Sequence, residues 1–219
     1  MSQNFITIEI AGQQLNLLPE KAIFRPSDKS LILSDVHLGK SAHFRKAGVP
    51  LPQQADYENL NRLETLIDKF EVKKVIVNGD LFHSFYNSFA SFFLEWRIKI
   101  PIPMLLITGN HDLMPDSFYK DANIELSKNP FVDEPFIFSH EPDSIEDQLD
   151  YYAFYGHIHP GIRLHGPGRQ SLKLPVFYFT EKYALLPAFG SFTGLAFIKP
   201  VKNSRVFVCL KNEVSEVKS

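Results

Sequence analysis

An α/β fold of two sheets packed face to face with helices outside is what this sequence predicts, on three observations. In the first half, apolar strand-like runs alternate with polar loops and with helical periodicity. After about Asn123 the texture changes to short β-rich pieces. At 219 residues the chain can bury one core well but not two, so a single domain over 1–219 is expected. A parallel-leaning half followed by a strand-rich half suggests sheet on sheet, although periodicity alone leaves the topology open.

Taken in order, Phe5 to Ile10 and Leu15 to Leu18 read as a hairpin around Gly12, with a short strand near Ala22 to Phe24. Ser30 to Leu33 is a compact apolar run ending in Ser34-Asp35-Val36-His37, the pattern of a buried strand that delivers polar groups at its end. From Gln54 to Phe70, Tyr57, Leu60, Leu63, Leu66, Ile67 and Phe70 recur at three- and four-residue steps, which predicts an amphipathic helix. Lys74 to Val77 is the next strand, ending in Asn78-Gly79-Asp80, and a second helix is expected over Ser88 to Ile98. Pro103 to Thr108 repeats the pattern before Gly109-Asn110-His111-Asp112. Further strands are expected at Ile137-Phe138, Tyr152 to Tyr155, Val176 to Thr180, Tyr183 to Leu186 and Arg205 to Leu210.

Composition excludes several classes of protein. Apolar residues at 44% and charged residues at 22% are ordinary for a globular chain, without repeats or low complexity. A single cysteine, Cys209, rules out an internal disulfide and fits a reducing cytoplasm. The start lacks the pattern of a secretory signal, and no apolar run is long enough for a bilayer, so a cytoplasmic protein with no membrane partner is expected. With a net charge of −2, any attraction for a polyanion must come from a local patch.

Five apolar strands end in hard or borderline metal ligands: Asp35 and His37, Asp80, Asn110, His140, and the pair His157 and His159. Singly, an Asp-x-His is usually a surface loop, a Gly-Asp a turn and a Gly-Asn-His-Asp a helix cap. Together, each after a buried-looking strand, they point to a metal site. Carboxylate, imidazole and amide oxygen suit Mn, Fe or Zn, and no thiolate cluster is present to form a structural zinc cage. The i, i+2 spacing of Asp35/His37 and of His157/His159 can place both members of a pair on one side of a sheet.

Asp35-Val36-His37, Gly79-Asp80, Gly109-Asn110-His111-Asp112, His140 and Gly156-His157-Ile158-His159 resemble, in order and spacing, the calcineurin-like metallophosphoesterase superfamily. The resemblance implies a four-layer sandwich of two mixed sheets flanked by helices, with two divalent metal ions at the strand ends. Asp35, His37 and His159 would hold one ion, Asn110, His140 and His157 the other, and Asp80 would bridge them. Such a pair acidifies water and clamps the attacking and leaving oxygens of a phosphate ester. His111 would assist cleavage as acid or charge stabiliser, with Asp112 orienting it or the loop.

Gly79-Asp80-Leu81-Phe82-His83 resembles the double-strand-break repair nucleases, whereas related protein phosphatases place aspartate and arginine at and after the His83 position; here Ser84 follows. His83 is therefore a candidate to act on substrate, and a phosphodiester is favoured over a phosphoprotein. Leu17 to Ala22, Asp35 to Lys40, Ser139-His140-Glu141-Pro142 and His157 to Pro160 are similar to the bacterial ligase-associated DNA damage response phosphoesterases, the PdeM family. That likeness implies a repair role beside an ATP-dependent DNA ligase, a helicase and an exonuclease-like protein; the leading reading is a manganese-dependent phosphodiesterase or nuclease, with iron or zinc the other metals.

Val36 to Ala55 carries Lys40, Arg45 and Lys46 without an acid, and Tyr151 to Thr180 carries Arg163, Arg169 and Lys173 without one. Beside the ligands these stretches would make a positive cleft able to hold phosphates, and Lys40, Arg45 and Arg163 are the candidate contacts. The acidic stretch from Glu141 to Asp150 is expected to face away. With little chain after the last strand, a short, single-stranded or damaged DNA end is the more reasonable substrate. Two alternatives compete: a small-molecule nucleotide or lipid-precursor phosphodiesterase or pyrophosphatase, and a non-catalytic adaptor for a ligase or helicase.

Overall fold

The computed structural model describes residues 4–40, 54–83, 88–127, 130–142, 150–166, 170–191 and 193–217. Seven strands form the first sheet in chain order: β1 (Ile6–Ile10), β2 (Gln13–Leu18), β3 (Ala22–Arg25), β4 (Ser30–Leu33), β5 (Lys74–Asn78), β6 (Met104–Ile107) and β7 (Ile124–Ser127). β1 to β4 pair antiparallel and β4 to β7 pair parallel. The parallel connections are made through α1 (Gln54–Lys69), α2 (Ser88–Lys99) and α3 (Asp116–Asp121).

The second sheet comprises β8 (Phe131–Asp133), β9 (Phe136–Ser139), β10 (Tyr152–Tyr155), β11 (Pro160–His165), β12 (Ser171–Phe179), β13 (Tyr183–Leu185), β14 (Ala196–Phe197), β15 (Arg205–Cys209) and β16 (Val214–Val217). β9, β10 and β13 run parallel to one another. β12 spans two neighbourhoods, pairing with β11 through its first half and with β13 and β15 through its second.

Strand alternation decides which layer each side chain joins. In β4, β5 and β6, Ile32, Ile76 and Leu105 face the second sheet, while Leu31, Leu33, Val75, Val77, Met104 and Leu106 face the helices. This two-sided burial is why these strands read as unbroken apolar runs. Between the sheets, aliphatic residues of the first meet Phe136, Phe138, Phe154, Phe177, Phe179 and Phe207 of the second. Each such burial is worth roughly 1.5–3 kcal/mol, so the layers adhere without a cross-link, and Cys209 is a buried free thiol.

The long helix α1 forms as its spacing predicts, burying Leu60, Leu63, Leu66 and Ile67. It ends where Glu71 takes a left-handed φ of 50° and Val72 N–H returns to Ile67 O at 2.9 Å, the six-to-one closure of a Schellman turn. Trp96 Nε1 donates to Glu64 Oε2 at 3.1 Å, joining α2 to α1. All three described helices pack on the outer face of the first sheet. The outer face of the second carries Ile137, Tyr155, Val176, Tyr178 and Val206, with Ile162 and Ile198 packed over them.

The two-sheet α/β architecture is therefore as the sequence predicts. Helix α3 and strands β7, β8, β11, β14 and β16 lie where no element was expected, and β12 starts five residues earlier, at Ser171. α3 is too short to show helical periodicity, β11 opens on Pro160-Gly161, and the first half of β12 is exposed or half-buried, without an apolar run to mark it. No described helix is long and apolar enough to cross a membrane.

Candidate metal centre

The carboxyl ends of the parallel strands β4, β5, β6, β9 and β10 meet at one rim of the sandwich, the place where parallel sheets present polar groups. A buried side chain, Asn78, ties the two sheets there. Its Nδ2 donates to Ser139 O at 2.9 Å and Phe154 O at 3.0 Å, and Ser34 Oγ, whose one proton is shared with Asp35 Oδ2, lies 2.7 Å from its carbonyl. Pairing between β4 and β5 continues past the strands through the ligand loops: Asp35 N to Gly79 O, His37 N to Asp80 O, Leu38 N to Leu81 O and His83 N to Leu38 O, all at 2.9–3.0 Å.

These loops are bent in an unusual way. Asp35, His37, Asp80, His157 and His159 all have left-handed φ, between 50° and 62°. Non-glycine residues seldom adopt this conformation, and each instance costs about 1–3 kcal/mol. Both i, i+2 pairs therefore use the same turn, which aims the two side chains of each pair inward. Gly79, with φ of 85°, lies so close to the His140 ring that any Cβ would collide with it. Gly156 is similarly pressed against Ser34 Oγ.

The two aspartates share one arrangement. Asp35 Oδ2 accepts from Ser34 Oγ at 2.5 Å and His157 N at 3.1 Å, while Oδ1 is buried without a hydrogen-bond partner and faces His159 Nε2 at 3.0 Å and His37 Nε2 at 3.9 Å. Asp80 Oδ1 accepts from His111 N at 2.9 Å, while Oδ2 faces His140 Nε2 at 3.4 Å and His37 Nε2 at 3.9 Å. One oxygen of each carboxylate is spent on fixing the loop, and the other turns toward imidazole nitrogens.

His140 Nδ1 lies 3.0 Å from Asn78 O. A carbonyl can only accept, so Nδ1 carries a proton, which leaves Nε2, buried and turned toward Asp80, as the nitrogen that would ligate once deprotonated. This second contact sets the ligating tautomer of a metal-binding histidine. His37 and His159 bring their Nε2 atoms within 3.4 Å of each other.

Ligand atoms of Asp35, His37 and His159 lie within 4.8 Å of one another, as do those of Asp80, His140 and His157, and each trio could hold a metal ion. Buried lone pairs converging from oxygen and nitrogen donors, with no thiolate among them, fit a divalent cation in each place. Asp80 Oδ2 reaches histidines of both trios.

Electrostatics treat the two half-sites differently: without a cation His37 is neutral, whereas His140 holds a proton on Nε2 that a bound cation would have to displace. Burial brings His37 down to about 3 against the pull of Asp35 and Asp80, so its ring is neutral and its lone pair available. Burial also opposes charge on His140, but the Asp80 and Asp35 carboxylates outweigh it and lift His140 to about 9. Burial would raise Asp80, yet His140 holds it below the usual carboxylate range. Two anions facing buried imidazoles make a site of net negative potential, suited to cations.

All six histidine side chains that the structure describes gather here. His111 and His83 stack, with ring centroids 4.8 Å apart at 25°, and both meet His37 edge-on, at 5.5 and 5.3 Å. Asn110 and His157 are exposed, with the His157 ring 5.2 Å from that of His140. Asp112 turns inward beneath the loops and accepts from Asp80 N at 2.8 Å, Gly109 N at 2.9 Å and Phe82 N at 3.1 Å, while burial lifts its carboxyl to about 7. This is the place of a group that holds two ligand loops together rather than one that meets substrate.

Lys40 is half-buried near Asp35 and Asp80, whose charges oppose the lowering by burial. Arg163, exposed on β11 just beyond His159, lies over the Phe197 ring at 4.7 Å. Arg45, Lys46, Ser84, Arg169 and the acidic residues Asp143, Glu146 and Asp147 fall outside the described residues. Sequence reading missed Asn78 and Ser34, whose only signal was a polar residue at the end of an apolar strand.

Residues 29–196 match the family model for calcineurin-like phosphoesterases, and the chain belongs to that family, a phosphate ester hydrolase whose members use divalent metals. Among solved structures, Pseudomonas putida nuclease MPE is similar over 98% of this chain and 100% of its own, with 32% identity and a TM-score of 0.82. YfcE, a phosphoesterase from E. coli, is a remoter likeness at 12% identity and a TM-score of 0.47, covering 86% of this chain and 97% of that one. No curated protein matches.

Proposed function

We propose that this phosphoesterase cleaves phosphodiester bonds in nucleic acid, using two divalent cations held by Asp35, His37 and His159 on one side and by Asn110, His140 and His157 on the other, with Asp80 shared. The observation that carries this reading is the pair of carboxylates, each anchored by one oxygen and turned by the other toward Nε2 atoms. Phosphodiester specificity is supported by the likeness to a nuclease along almost the whole chain. The cations supply acidification of water near neutral pH and charge neutralisation at phosphorus.

The chain's own groups do the rest. The left-handed loops and the hydrogen bonds of Ser34, Asn78 and Asp112 hold the ligands before substrate arrives, so little reorganisation is needed on binding. His111 donates a ring N–H to the departing oxygen, and His83, stacked on it, limits its orientation. Lys40 and Arg163 contact phosphates flanking the scissile one. Manganese is the working metal, DNA repair in the cytoplasm the setting, and 1–219 acts as one domain.

Turnover of a chromogenic phosphodiester, the matching monoester and a labelled single-stranded DNA, measured with manganese beside Asp80→Asn and His111→Ala, tests the proposal. Diester and DNA cleavage lost in both variants is the expected result. Monoester or nucleotide turnover with intact DNA would place the enzyme among small-molecule phosphoesterases, and inactivity on every substrate would favour the adaptor.

A further inference from the structure

On the same rim as the metal centre, where β3 runs antiparallel to β4 and β15 antiparallel to β12, the chain encloses a recess of about 280 Å³. Its lining includes Glu20, Lys21, Arg62, Pro175, Cys209 and Lys211, three cations against one carboxylate. Their hydrogen bonds go to neutral groups: Lys21 Nζ donates to Gly190 O at 2.9 Å, and Arg62 Nη2 donates to Phe189 O and to Asn59 Oδ1. Arg62 Nε is buried without a partner, and so is Glu20 Oε2. Among the described residues neither Lys21 nor Arg62 forms an ion pair.

Half-buried cations without an opposing ion are costly, since burial disfavours their charged forms. Lys21 shows it: burial, and then the neighbouring Arg62 charge, bring it down to about 7. Arg62 is brought down to about 10 by burial, although Glu20 and Glu58 pull the other way. An anion in the recess would relieve both groups.

We infer that this recess is an anion subsite that takes a phosphate group. Guanidinium and ammonium donors converging on one hollow are the usual means of holding phosphate oxygens, and Lys211, exposed at the mouth, adds a third charge. The recess is joined to the metal centre through one short strap. Lys21 and Arg62 hold the carbonyls of Gly190 and Phe189, and the same two residues donate N–H groups to Asp35 O at 2.9 Å and Ser34 O at 2.8 Å. The phosphate can come free from solution or from the polyanionic substrate, one or more nucleotides away from the scissile bond. The subsite does not depend on the catalytic reading, because its residues are distinct from the proposed ligands.

Calorimetric titration of inorganic phosphate into the full chain after chelation of metal ions tests the inference, with Arg62→Gln and Lys211→Glu beside wild type and a circular dichroism melt to confirm folding. Wild type is expected to bind one phosphate, and affinity to fall about tenfold in a folded variant, the loss of a charge-assisted contact. Arg62 also packs on Phe189 at 4.2 Å, so Lys211→Glu, at an exposed position, decides the matter if Arg62→Gln fails to fold. No binding by wild type, or equal binding by both folded variants, overturns the proposal. A short oligonucleotide titrated in parallel identifies the source: a matching loss with competition by phosphate assigns the recess to substrate, and unchanged oligonucleotide binding assigns it to free phosphate.

Discussion

The two halves of the candidate metal centre both draw on left-handed loops, at Asp35, His37 and His159 in one and at Asp80 and His157 in the other, and they differ in enclosure. Around Asp35 and His37 the half-site is buried, with the His159 side chain 17% exposed. Around Asp80 and His140 the floor is equally buried, but His157 and Asn110 open to solvent. The enclosed half is backed by the strap at Phe189 and Gly190, whereas the open half lies along the loop that bears His111. On the proposed reading a phosphate ester approaches from the open half, beside the loop of His111. The enclosed half serves as the fixed reference for that approach.

The change that should collapse both halves at once is Asp80→Asn, because this carboxylate faces histidines of each. Turnover should drop on the order of 10³-fold or more, and calorimetry should show both manganese equivalents weakened. His111→Ala should cost about 10²-fold in turnover while leaving manganese affinity intact, separating the catalytic group from the ligands. His157→Ala should weaken one manganese equivalent about 10- to 100-fold, with the enclosed equivalent unaffected; loss of both would erase the distinction between the halves.

The smallest effect concerns the strap behind the enclosed half. Burial and Arg62 bring Lys21 from 10.5 to about 7 in the folded chain, so between those values the unfolded chain binds more protons and stability rises with pH. The melting temperature of wild type should therefore gain on that of Lys21→Met as pH rises from about 7 to 10.5. A gap that stays constant across this window would show that Lys21 is not shifted.

The strand ends that bear the candidate ligands were legible because two-sided burial turns parallel strands into unbroken apolar runs, so Asp35, Asp80, Asn110 and His140 stand out where those runs stop. What brings them together was not legible. No local pattern announces left-handed φ at Asp35 or His159, since the surrounding ladder imposes it. Lys21 meets Gly190 across 169 residues, and Asn78 meets Phe154 across 76, contacts that only the closed sandwich creates. Asp112 reads from sequence as a group that orients either His111 or the loop, and only the fold chooses, giving its oxygens to backbone N–H groups of Asp80, Phe82 and Gly109.

On the proposed reading, five strand ends assemble one centre for two cations with Asp80 between them. Anomalous diffraction at the manganese edge from crystals grown with manganese tests it most directly. Two peaks are expected, one among Asp35, His37 and His159 and one among Asn110, His140 and His157, each in contact with Asp80; a single peak, or a pair that leaves Asp80 untouched, would contradict it.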